Sequence, residues 1–212
     1  MLPPVLQNLL DYYRPLCTFS HGWPGGGESL LAPGTNLLGA NAAYLPDNAG
    51  ESVLSAAKDW AEQHELPPLR VRLGSAGDAG TLRVGVWQTT AGPGALQIEQ
   101  TSRLHLPRWA GVLAEAYGQP EWATPVARHL ATRLEQLPDA ALLLAYAGHE
   151  AVGALLWQPG GAHLWGTLDA AVDAPLLNAA GELSGGELSV SLPDSSPLSV
   201  VGEQTVGFGR LA

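Results

Sequence analysis

The sequence predicts an α/β (α+β) fold in two similar halves, each a mixed, mostly antiparallel sheet flanked by helices. Three observations predict it. Residues 69–73 (LRVRL) and 188–192 (LSVSL) alternate apolar and polar side chains, as half-buried strands do. Other windows repeat apolar residues at helical spacing. Three strand-like runs between residues 140 and 168 are separated only by Gly148-His149 and by Pro159-Gly160-Gly161. Loops that short cannot make a parallel crossover, so these runs form an antiparallel meander.

In chain order, residues 4–14 are expected to form a short helix, with Val5, Leu6, Leu9, Leu10 and Tyr13 on one broad face. Residues 21–27 (HGWPGGG) read as a loop. Their glycines lack the Lys-Ser/Thr of a phosphate loop and follow no clear strand. Residues 37–44 are expected to be a strand. A helix over 50–64 carries the stripe Val53, Leu54, Ala57, Trp60 and Ala61, and Pro67-Pro68 bars its continuation. The strand 69–73, a small-residue loop and a strand over 81–88 follow. The Gly- and Pro-rich connector 89–94 separates the halves, giving an N-terminal domain 1–92 and a C-terminal domain 93–212.

The second half opens with a strand over 95–100. Pro107 suits a first helical turn, where its missing N–H costs nothing. Trp109, Val112, Leu113, Ala116 and Tyr117 continue at helical spacing up to Gly118, a natural stop. A second helix is expected to start with Thr124 as its cap and Pro125 in its first turn, with the stripe Val126, Leu130, Leu134 and Leu137. After the meander (140–147, 151–158, 162–168), a helix from 173 or 174 to about 183 ends at Gly185-Gly186. The strand 187–192 and a closing segment 206–211 complete the chain.

Composition bounds the function. Of 212 residues, 46% are hydrophobic, enough for a real core, and only 14% are charged. The net charge of −10 disfavours nucleic-acid partners. Arg70, Arg72 and Arg83 form the nearest thing to a basic cluster and are expected on a solvated strand face. The lone Cys17 permits no intrachain disulfide and reads as a small buried hydrophobe. No run of 18 apolar residues occurs and residues 1–10 do not read as a signal peptide, so a cytoplasmic protein without membrane contact is expected. The six histidines show no metal-ligand spacing, so no metal is expected. His163 reads as a half-buried strand residue rather than a base. Gly-x-Ser-x-Gly is absent.

The halves echo one another. A helix leads to LRVRL, a loop and Val84-Gly85-Val86-Trp87 in the first, and to LSVSL, a loop and Val206-Gly207-Phe208-Gly209 in the second. Before each helix stands Leu37-Leu38-Gly39-Ala40 or Leu164-Trp165-Gly166-Thr167. The order in 97–212 (two helices, meander, helix, strand, loop, closing Gly-Phe) resembles the GNAT (GCN5-related N-acetyltransferase) superfamily. Ala147-Gly148-His149-Glu150-Ala151-Val152-Gly153 is similar to that family's hairpin, and Val206-Gly207-Phe208 to its closing strand. The first half resembles the degenerate leading half of tandem GNAT proteins, with Asn41 before the helix and Leu66-Pro67 after it.

The resemblance implies acetyl-coenzyme A as cofactor, held by an Arg/Gln-x-x-Gly-x-Gly/Ala turn whose amides approach the pyrophosphate at a helix N-terminus. Here the segment 168–176 reads LDAAVDAPL, with no Arg, Gln or Gly. If binding is retained, Leu168, Ala170, Asp173 and Ala174 are the cofactor contacts. Pro175 removes an N–H donor, and Asp169 and Asp173 stand where anions would dock. At ~8 Å and an effective dielectric near 20, each like-charge pair costs on the order of 2 kcal/mol. Between Leu134 and Gly209 no Lys or Arg occurs. The family's general-acid Tyr has no counterpart, since no Tyr follows Tyr146, so no catalytic residue is assigned. Residues 193–204 look too broken for a full helix. By the same resemblance, Trp157 and Trp165 could line a ligand cleft, although core packing is the plainer reading. The expectation is an acetyltransferase-like protein with a degenerate cofactor loop, requiring no cofactor and acting through a small molecule or a protein partner. The alternatives are an active N-acetyltransferase with a divergent loop, and a structural module that self-associates as a homodimer.

Overall fold

Pro4 opens helix α1 (Pro4–Tyr13), where a proline needs no N–H partner. The helix buries Leu6, Leu9, Leu10, Tyr12 and Tyr13 on the face the apolar spacing marks. Cys17 is buried, and its Sγ donates to the Tyr13 carbonyl at 3.2 Å, so it packs as a small apolar residue. The strands β1 (Phe19–Gly22) and β2 (Glu28–Leu31) pair antiparallel, and β2 pairs antiparallel with the short β3 (Ala43–Tyr44). Helix α2 (Glu51–Gln63) then carries the chain to β4 (Leu69–Leu73), which lies parallel to β3. The late strand β11 (Val201–Arg210) closes this unit, with 206–210 antiparallel to β4 and Val206 and Phe208 fully buried.

The computed structural model describes residues 1–90 and 96–211 and divides into two units, Met1–Val84 with Gln204–Ala212, and Gly85–Glu203. The domain boundary expected at 92/93 lies outside the described residues.

In the second unit, β6 (Gln97–Thr101) leads to α3 (Leu106–Ala116) and α4 (Ala123–Leu134). The meander follows as β7 (Ala141–Ala147), β8 (Glu150–Gln158) and β9 (Gly161–Thr167), with antiparallel registers throughout. Helix α5 (Asp173–Leu183) crosses to β10 (Glu187–Pro193), which runs parallel to β9. The strand order is β10-β9-β8-β7-β6, and β5 (Gly80–Gln88), whose last residues belong here, lies beside β10. Leu176, Leu177 and Ala180 of α5 pack on Leu143, Leu155, Leu188 and Val190 to form the core. At Gly153 a Cβ would meet Val172 and Leu176 at 3.0 and 3.2 Å, so only a small residue lets the start of α5 settle on β8.

Four expectations are corrected. Residues 37–44 are not one strand: Leu38–Ala40 form a 3-10 turn and only Ala43–Tyr44 are extended. The cause is Asn41, whose buried side chain accepts from Ala32 N at 2.8 Å and donates to the Thr35 and Leu37 carbonyls, drawing the chain into a loop. His21 and Gly22, read as loop, belong to β1, a strand exposed on both faces and therefore without alternation. Thr124 is not a cap. Pro120–Trp122 form a 3-10 turn that feeds α4 from Ala123. Arg70 is not solvated but 5% exposed, donating to the Pro46 carbonyl at 2.7 Å; burial lowers its pKa. As the broken sequence 193–204 suggested, no helix intervenes between β10 and β11 among the described residues.

Candidate functional site

The second unit places a cleft of about 430 Å³ where β9 ends and α5 begins. Parallel neighbours keep in step only while each carbonyl finds a ladder N–H. Here the β9–β10 register is carried by Val190, midway along β10, opposite Ala162 near the start of β9. Beyond it, side chains take the backbone groups. The Trp165 indole donates to the Ser191 carbonyl at 2.7 Å, and the Tyr117 hydroxyl donates to the Trp165 carbonyl at 3.1 Å. His163 lies beside them, with Nδ1 2.8 Å from Ser191 Oγ. The imidazole is buried, and burial pulls its pKa down to about 3, so it is neutral and not poised to exchange protons. The Tyr117 ring edge reaches the surface while its hydroxyl points inward, and burial pushes its pKa up to about 12.

The turn between β9 and α5 is organised by its two aspartates. Asp169 caps the 3-10 turn Ala170–Val172: its Oδ1 accepts from Ala171 N at 2.8 Å, and its carbonyl accepts from Val172 N at 2.9 Å. Asp173 begins α5, is 8% exposed, and accepts a hydrogen bond from Thr167 Oγ1. Its pKa is raised, chiefly by burial, with the Asp169 charge adding to the rise and the Thr167 bond opposing it. No Lys or Arg lines this cleft among the described residues.

Of the residues singled out from sequence, Leu168, Ala170, Asp173 and Trp165 line one cleft. Leu168 is 40% exposed at its rim, and Trp165 is 6% exposed within it. Ala174 packs against the core instead. Trp157 is elsewhere. Its indole donates to Ser184 Oγ at 2.7 Å, and it lines a groove of about 490 Å³ at the far end of α5. The structure therefore does not bring the two tryptophans together. Sequence reasoning put Tyr117 on a helical stripe but gave neither it nor Ser191 a role in a site; the fold delivers them from the residue that ends α3 and from β10. That reasoning also missed the capping role of Asp169, for which the Asp-x-x spacing ahead of a helix was a usable signal.

The described elements define a mixed α/β fold: an antiparallel meander, then a parallel β–α–β crossover. Among solved structures, the chain is similar to a conserved protein of unknown function from Staphylococcus epidermidis, at 11% identity and TM-score 0.63 over 94% of this chain and 98% of that one. It is also similar to a GCN5-related N-acetyltransferase from Kribbella flavida, at 12% identity and TM-score 0.61 over 98% and 95%. No family model and no curated protein matches the sequence. No described helix is long and apolar enough to cross a membrane.

Proposed function

We propose that this chain is a tandem GNAT-fold protein whose acetyl-coenzyme A site is degenerate, and that it acts by binding a small ligand or a protein partner rather than by acyl transfer. The observation that carries this reading is the state of the β9–α5 turn. An anion site at a helix start needs unclaimed N–H groups and a positive field. Here Asp169 holds Ala171 N and Val172 N, Asp173 adds a second carboxyl, and the Trp165 indole and Tyr117 hydroxyl take ladder carbonyls beside it. These residues do not fit a diphosphate. The repeated β–α–β order, β3–α2–β4 and β9–α5–β10, each with parallel strands, supports the tandem assignment. A cytoplasmic setting and a possible homodimer remain part of the proposal.

Isothermal calorimetry with acetyl-coenzyme A tests it directly. The expected result is no saturable heat at tens of micromolar ligand. An affinity tighter than about 10 µM, about 7 kcal/mol of binding, would overturn the reading in favour of an active N-acetyltransferase with a divergent loop.

A further inference from the structure

We infer that the second unit carries a separate binding site for a small amphiphilic carboxylate, in the cleft between α3 and α4. This site lies apart from the β9–α5 turn and does not depend on the reading given for that turn. The cleft is about 470 Å³, within the range of small-molecule sites. Its lining is mainly aliphatic, with Leu106 buried at 2% exposure, Ala127 half-buried, and Ala131 and Leu104 exposed, Leu104 at 89%. Two guanidinium groups, Arg103 and Arg128, line the same cleft, and no carboxylate does.

The charge distribution gives this meaning. The second unit holds only four cationic side chains, Arg103, Arg108, Arg128 and Arg133, against a surplus of carboxylates. Arg108 is engaged: it donates to the His149 carbonyl at 2.9 Å and sits 5.1 Å over the Tyr146 ring. Arg103 and Arg128 form no ion pair or side-chain hydrogen bond among the described residues. In an acidic chain, such arginines beside a solvent-facing Leu make a concave surface that is positive at its edge and apolar at its base. A planar guanidinium pairs with a carboxylate through two parallel N–H···O bonds, and an alkyl tail would cover Leu104 and the alanines. An uncharged chain of equal length would gain only the second contribution, and a compact anion such as phosphate only the first.

Calorimetric titration of the full chain with sodium decanoate tests the site. Saturable one-to-one binding with a Kd on the order of 100 µM is expected, weakening as salt is raised. 1-Decanol should bind at least ~10-fold more weakly, as should decanoate to the double variant Arg103→Gln/Arg128→Gln. The inference is overturned if decanoate gives no saturable heat up to a few millimolar, if decanol binds equally well, or if the double variant keeps the wild-type affinity while circular dichroism shows it folded. Should that variant fail to fold, the decanoate-against-decanol comparison on the unaltered chain decides alone.

Discussion

His163 shows how a single residue ties the cleft to pH. Its ring is buried on β9 against Ser191, and its folded-state pKa is near 3, whereas an unfolded histidine titrates near 6.5. A base with a depressed folded pKa leaves the unfolded chain binding more protons as pH falls. Stability should therefore be intact above about pH 6.5 and decline by ~1.4 kcal/mol per pH unit below it, levelling off near pH 3. Urea midpoints measured between pH 7 and 4.5 should drop steadily for the wild type and clearly less for His163→Gln. Parallel slopes would remove His163 from the account. The residue was visible in the sequence as a strand histidine, but its full burial was not. The Ser191 partner lies 28 positions away and only the parallel crossover brings it there.

At the level of elements, α5 starts at a cost that is built in. Asp173 has a raised pKa, so the folded state holds its proton more tightly than the unfolded chain does, and at neutral pH the ionised carboxylate is penalised by burial. Asp173→Asn removes the charge and keeps an oxygen that can accept from Thr167. The variant should melt at a higher temperature than the wild type at pH 7, and the gain should vanish once acid has protonated the wild-type carboxyl. A lower Tm at pH 7 would contradict the burial penalty. The elements also separate what sequence can and cannot declare. LRVRL and LSVSL were legible because their apolar residues recur at every second position, although Arg70 and Ser191 between them are buried as well. Residues 37–44 were misread because Asn41 replaces ladder bonds with side-chain bonds, which hydropathy does not register. β1 was overlooked because an edge strand exposed on both faces has no alternation to find. The acidic, glycine-free turn at 168–176 was plain in the letters, whereas the closing of its amides by Asp169 and of its ladder carbonyls by Trp165 and Tyr117 needed three-dimensional neighbours.

For the whole molecule, the decisive feature is where each unit finds its closing strand. β4 is completed by residues 206–210, more than a hundred positions downstream, and Phe208 among them is fully buried. Phe208→Ala should cost about 3–5 kcal/mol. Hydrogen exchange should then show protection lost first in β3, β4 and β11, with the β7–β9 meander largely retained. Uniform loss across both units would argue for one cooperative block instead. The same connectivity has a bearing on birth as well as on stability. A ribosome adding roughly 5–20 residues per second needs on the order of 10 s to travel from β4 to its mate. Throughout that interval β4 waits with an uncovered flank, while the intervening β6–β10 segment can finish first. The unit that contains β3 and β4 thus becomes whole only after the one made behind it, and it is there that a chaperone would find the nascent chain most in need of cover.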